Sequence, residues 1–234
     1  MSFSMVTSEA ITQTYLLATG KSTPPSSGTA KYTKILALLN MFTQNWATEQ
    51  NVNWKSLRAF FTVTSPATVT ATDTFTIPTT AGKISPQEGD FVRINWTDGE
   101  NQSLYTIVPI ERLYNNGPSI NNAGGPICAV SAGTIIFPVA FTSSSPEYGG
   151  TVKIPGYSIP STLDDASDPI QVDDPFWVCF MAAAEYVRND ITRVQQYGNL
   201  ISLANNSMQA MKQKNNSQEE KVYSNWSPLG STWE

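Results

Sequence analysis

At 234 residues the chain is long enough to bury one large core or two small ones, which excludes a bare peptide, a fibre or a simple repeat array. Only 14% of its side chains are charged, and 26 Thr, 24 Ser and 17 Asn fill the deficit, a composition that favours strands, turns and hydrogen-bonded loops. The net charge of -5 argues against a protein that grips nucleic acid by its phosphates, because that needs clustered Lys and Arg.

Ser8 and Glu9 ahead of a periodic run predict a helix over 8–18, with Ile11, Tyr15 and Ala18 on one face and Gly20 closing it. Residues 21–30 contain Pro24-Pro25 and read as an extended linker. Over 31–49, Ile35, Leu38, Leu39, Phe42 and Trp46 recur at spacings of three and four, the stripe of an amphipathic helix. After Trp54 the period changes to two. Short strands are expected at 60–64, 67–70, 74–77, 91–96, 104–108, 127–130, 134–137 and 151–154, and Asp98-Gly99 between two of them predicts a hairpin. Exposed loops are expected at 115–118 and 121–126, and residues 156–174 read as a long ordered connection.

Asp174 as cap and Pro175 at the first helical position predict a helix to about Asp190, with Phe176, Phe180, Ala183, Ala184 and Val187 as its buried stripe. Val194, Tyr197, Ile201, Ala204, Met208 and Met211 continue as a helical seam, and propensity leaves open whether Asn189-Asp190 splits the run. The expected architecture is α+β. N-terminal helices (1–56) and C-terminal helices with their acidic loop (161–214) form one helical bundle, a central antiparallel β-rich insert occupies 57–160, and 215–234 is an extended tail. Leu38, Phe42, Trp46, Phe176, Phe180 and Val187 are the expected helical core, with the helix at 175–190 packed on the helix at 31–49.

The chain has no histidine, which removes the commonest general base, the commonest zinc ligand and every Ser/His or Cys/His nucleophile. Cys128 and Cys179 are too far apart in sequence for a C-x-x-C pair and sit in apolar runs, so they read as buried thiols, with a disulfide left open. Asp164, Asp165, Asp168, Asp173 and Asp174 lack the spacing of a calcium loop or of a facing carboxylate pair, and read as a solvated loop ending in a helix cap. Gly82, Gly89, Gly124-Gly125 and Gly149-Gly150 make no phosphate-binding pattern. No catalytic, cofactor-binding or metal-binding residue is predicted. No apolar stretch is long enough to span a membrane, and the N-terminus lacks a basic start and an apolar core, so the chain is expected to be made in the cytosol.

Aromatic residues carry the remaining signal. Trp96, Tyr105, Tyr114 and Tyr148 would suit either a carbohydrate platform or a mixture of core and subunit contact. Trp226, Leu229 and Trp233 lie in a stretch too short to bury itself, as expected of a peptide that docks in another protein's groove, since tryptophan anchors dominate binding energy when they fill pockets. Folding back on the chain's own surface is the alternative.

The order of an N-terminal helix pair, a strand-rich insert, the loop GYSIPSTLDDASDPIQVDDP, the helix PFWVCFMAAAEYVRND and the segment LISLANNSMQAMKQKNN resembles the head-to-tail adaptor (connector) proteins of tailed bacteriophages. The motifs that carry the likeness are Asp173-Asp174-Pro175, the run from Ala182 to Tyr186, and Ala204, Met208 and Met211 ahead of a polar break. The resemblance implies a virion structural protein made in the host cytoplasm. It would form a ring, expected to be a dodecamer, between the portal protein and a downstream tail or neck protein. DNA would pass through its lumen without specific binding, with no membrane and no cofactor involved, and the C-terminal tail would engage the portal. The competing expectation is a receptor- or carbohydrate-binding β module of a virion.

Overall fold

The computed structural model describes residues 4–49, 52–63, 68–78, 81–83, 91–115 and 126–224. Among the described residues, five α-helices span Thr7–Thr19 (α1), Ala30–Ala47 (α2), Ile110–Asn115 (α3), Pro175–Val187 (α4) and Val194–Ser224 (α5). The same residues form eight strands, Arg58–Thr62 (β1), Thr74–Thr76 (β2), Ala81–Lys83 (β3), Phe91–Asn95 (β4), Gln102–Ile107 (β5), Ile127–Ser131 (β6), Thr134–Ile136 (β7) and Thr151–Ser158 (β8). The chain divides into two units, one built from Met1–Ser56 with Pro160–Glu234 and one from Leu57–Ile159.

In the first unit the helix ends are set by local polar groups. The Glu9 carboxylate accepts the Val6 N–H at 3.1 Å, and Gly20, at a φ of 76°, returns its N–H to Leu16 O at 2.7 Å. Thr29 caps α2, and Asp174 caps α4 by accepting the Phe176 N–H at 3.1 Å, with Pro175 beside it at the start. Asp190 accepts from the Thr192 N–H at 3.0 Å and holds a single 3-10 turn, Ile191–Arg193, so Asn189-Asp190 does split the run into two helices.

Helix α4 is the hub, packing on α1, α2 and α5. Ala182, Ala183 and Ala184 are buried and leave room for close approach, and Ala18, Ala183, Ala184, Val187 and Leu200 form one cluster. The expected packing of α4 on α2 is present, with Phe42 edge-on to Trp177 at 6.3 Å between ring centres. Phe42, Trp46 and Val187 are buried core residues, and Trp46 stacks on Trp54 at 4.6 Å.

Several expected positions are corrected. Leu38, Phe176 and Phe180 are half-buried, while Trp177, Val178 and Cys179 are buried. A helix enclosed by three neighbours buries more than one stripe, so Ala183, Ala184 and Val187 of the expected stripe are buried together with residues outside it. Val194 is 67% exposed because it stands at the corner after the 3-10 turn, while Ala204 and Met211 of the expected seam are buried, joined by Leu200. Residues 215–224 are helical and not an extended tail, as suits a stretch rich in the helix formers Gln, Glu and Lys.

In the second unit the sheet order is β1-β8-β4-β5-β6-β7-β2, with β3 also paired to β8. The Asp98-Gly99 hairpin between β4 and β5 is present, with Asn95 opposite Gln102. The remaining pairs are antiparallel except β5 with β6, so the expected fully antiparallel insert is a mixed sheet. The cause is the long connection from β5 to β6, which carries α3 and gives the crossover that parallel neighbours need. Val108, Leu113, Ile127 and Ala129 pack that crossover against the sheet. The main core gathers Val63, Phe75, Ile94, Ile135, Phe137 and Ile154 among others. Gly150 is required where β8 passes β4, since a Cβ there would stand 2.4 Å from Asn95 O. The expected strand residues 64 and 67, Gly89 and the loop at 116–125 lie outside the described residues.

Candidate functional site

Helix α5 is fastened at Asn215 by a polar clamp. Asn215, 7% exposed, accepts the Lys55 N–H at 3.1 Å through its carbonyl and donates its amide to Asn53 O at 3.0 Å. Lys212 adds an ion pair with Glu49 at 3.0 Å, partly exposed and therefore of small energetic weight. These bonds hold α5 to the segment that follows α2, and the helix runs on to Ser224, roughly two and a half turns past the clamp. Trp226, Leu229 and Trp233, the expected docking residues, lie outside the described residues.

A second set of side-chain amides holds the acidic connection. Asn40 donates to Leu163 O at 3.1 Å and accepts the Leu163 N–H at 2.7 Å, and Gln44 donates to Pro160 O at 2.9 Å. Both replace backbone partners that a strand would have supplied. Asp168 accepts the N–H groups of Asp164 and Asp165 at 2.8 and 2.7 Å, and these bonds hold its carboxyl below the usual range. Thr7 and Ser8 donate their N–H groups to Asp168 O and Ala166 O, so the corner is tied to the start of α1. Asp174 caps α4 and accepts from the Ser207 hydroxyl of α5. Asp164 and Asp165 remain exposed. Among the described residues, no three His, Cys, Asp or Glu side chains converge as metal ligands.

The aromatic residues of the β region divide. Trp96 donates to Ser103 Oγ at 2.9 Å, and the Ser103 and Tyr105 hydroxyls both donate to Glu147, at 2.8 and 3.1 Å. The Tyr105 ring packs edge-on against Phe137 at 4.9 Å, and burial pushes its hydroxyl pKa well up. Tyr105 is thus part of the core, whereas Tyr114 and Tyr148 are exposed. Cys128 and Cys179 are free and buried, and burial pushes each thiol up to about 12.

Hydrophobic periodicity did not single out Asn40, Ser207 or Asn215. One signal existed, because Asn215 falls four residues after Met211 and continues its seam with a polar group. A polar residue in register with a buried stripe marks a tertiary hydrogen bond. No protein-family model matches the chain, and no curated protein matches it in sequence.

Proposed function

We propose that the chain is a virion structural adaptor that forms a ring between the portal vertex and the tail or neck of a tailed bacteriophage. In this reading the helices from the two ends of the chain make one bundle, the β unit is an insert within it, and the C-terminal segment is the portal-docking element. The observation that carries the reading is the clamp at Asn215, because a helix fastened there and continuing past it is a rigid base for a tryptophan-bearing peptide. The motifs behind the resemblance lend support. Asp174 and Pro175 start α4, Ala182–Ala184 lie at its crowded centre, and Ala204 and Met211 lie in the buried seam of α5. The acidic balance suits a conduit through which DNA must pass without sticking.

Electron microscopy of the purified protein, alone and mixed with portal-containing heads, tests the proposal. A closed ring seated on the portal is the expected result. Discrete monomers or trimers that bind a glycan would overturn it in favour of the carbohydrate-binding module.

A further inference from the structure

Helix α5 presents four different sides to its surroundings. Its back is committed to its own subunit: Leu200, Ala204, Met211 and Asn215 are buried, and Ser207 donates to Asp174 at the start of α4. At about 3.6 residues per turn, the positions opposite that row are Gln195, Asn199, Ser202, Asn206, Gln209 and Gln213, all exposed. This front has no charged and no apolar side chain, whereas the solvent face of an amphipathic helix ordinarily carries charges. No Asp, Glu, Lys or Arg occurs anywhere from Val194 to Met211.

The two flanks, each about a quarter turn from the buried row, both expose an apolar residue. Val194 is 67% and Leu203 46% exposed, and nine residues, about two and a half turns, put them on opposite flanks. Ile201, half-buried, continues the first flank, and Ala210, exposed, continues the second. Copies of α5 standing side by side cover both flanks at once, and helices free of charge over this stretch meet without like-charge repulsion. We propose that α5 is a stave of the conduit wall: its Val194 and Ile201 flank packs on the Leu203 and Ala210 flank of a second copy, and its amide front lines the lumen. The inference rests on the ring reading above and names the helix that builds it. A contact between two different surfaces of the same chain repeats from copy to copy and closes into a ring when the rotation allows. The front suits duplex DNA in transit, because it offers no cation to hold phosphates by counterion release.

Disulfide trapping on the full chain tests the contact, with the native Cys128 and Cys179 buried out of reach. Leu203 and Asn205 are exposed and lie on opposite flanks, so cysteines placed there have Cβ vectors that point apart and do not join within one chain. Leu203→Cys with Asn205→Cys, mildly oxidised, yields a ladder of covalent oligomers up to the closed ring, and either change alone yields none. Circular dichroism checks that each variant keeps the wild-type helix content. No ladder where electron microscopy shows rings overturns this contact and leaves the adaptor reading standing. Covalent dimers from a single change reveal a two-fold pairing of α5 and overturn it as well. A chain that stays monomeric at every concentration overturns both the contact and the ring.

The lumen assignment has its own test. Rings of the Ser202→Lys, Gln209→Lys variant, assembled before DNA is added, retain linear duplex at low salt and release it as salt is raised. They do not retain closed circular duplex, which cannot thread a closed ring, and wild-type rings retain neither. Equal retention of the linear and circular forms, or retention of neither, puts these positions outside the lumen and overturns the assignment.

Discussion

In the helical unit, segments far apart in sequence meet through side-chain amides: Asn40 pairs with Leu163 across 123 positions and Asn215 with Lys55 across 160. In the β unit, strands meet through the backbone itself, as β1 does with β8 and β4 with β5, over a continuous aromatic and aliphatic core. The difference teaches where each unit is vulnerable. A helix satisfies its own backbone, so its position relative to other segments depends on packing and on a few polar side chains. A strand has no such independence, and its ladder fixes neighbour and register together.

The sharpest test of the comparison removes one large ring from each core. Trp46→Ala and Phe137→Ala should each cost about 3 to 5 kcal/mol, since both rings are buried among other aromatics. Calorimetry should show the first variant lowering a transition of the helical unit and the second lowering a transition of the β unit. A single shared transition, shifted alike by both, would show that the two cores unfold as one.

Asn215→Leu should cost about 1 to 3 kcal/mol, because it leaves the Lys55 N–H and Asn53 O without the partner now supplied. Denaturant melts followed by the helical signal measure it. A variant as stable as the wild type would show that the clamp does not hold α5.

The helical unit was the more legible in sequence. The caps at Asp174 and Gly20 and the stripe through Phe42 and Trp46 are local signals, and the structure matches them. The stripe of α4 was legible at Ala183, Ala184 and Val187, whereas the burial of Trp177, Val178 and Cys179 was not, because neighbours on three sides leave no single periodicity to read. In the β unit the strand at 81–83 and the helix α3 were missed, and with α3 went the parallel pairing of β5 with β6. Strand order depends on which distant segments share a core, and no window of sequence contains that information. The amide pairs of the candidate site were hidden for the same reason, since each joins residues more than a hundred positions apart.

The buried thiols, one in each unit, give a pH test common to both. Burial raises Cys128 and Cys179 from the ordinary 9.0 to about 12. Between those values the unfolded chain has lost thiol protons that the folded chain keeps, so this contribution to stability is intact below about pH 9 and falls as the pH rises towards 12. Replacing both with Ala should flatten the alkaline side of the stability profile, and thiol reagents at pH 8 should modify neither cysteine until the protein unfolds.

The smallest effect belongs to the β6–β7 turn, where Ala132 has a φ of 46° and Gly133 of 75°. A two-residue turn of this kind favours Asn before Gly, and Ala132→Asn should raise stability by about 0.5 to 1 kcal/mol. A loss of stability would contradict the turn geometry.

Removal of residues 225–234 tests the account most directly. The truncated protein should keep the helix content and melting behaviour of the full chain, because the clamp at Asn215 precedes the cut, yet it should fail to sediment with portal-containing heads. Loss per subunit would be on the order of 2 kcal/mol or more, and a ring multiplies it because each docked tail raises the effective concentration of the others. Truncated protein that joins heads as well as the full chain would contradict a docking role for Trp226, Leu229 and Trp233.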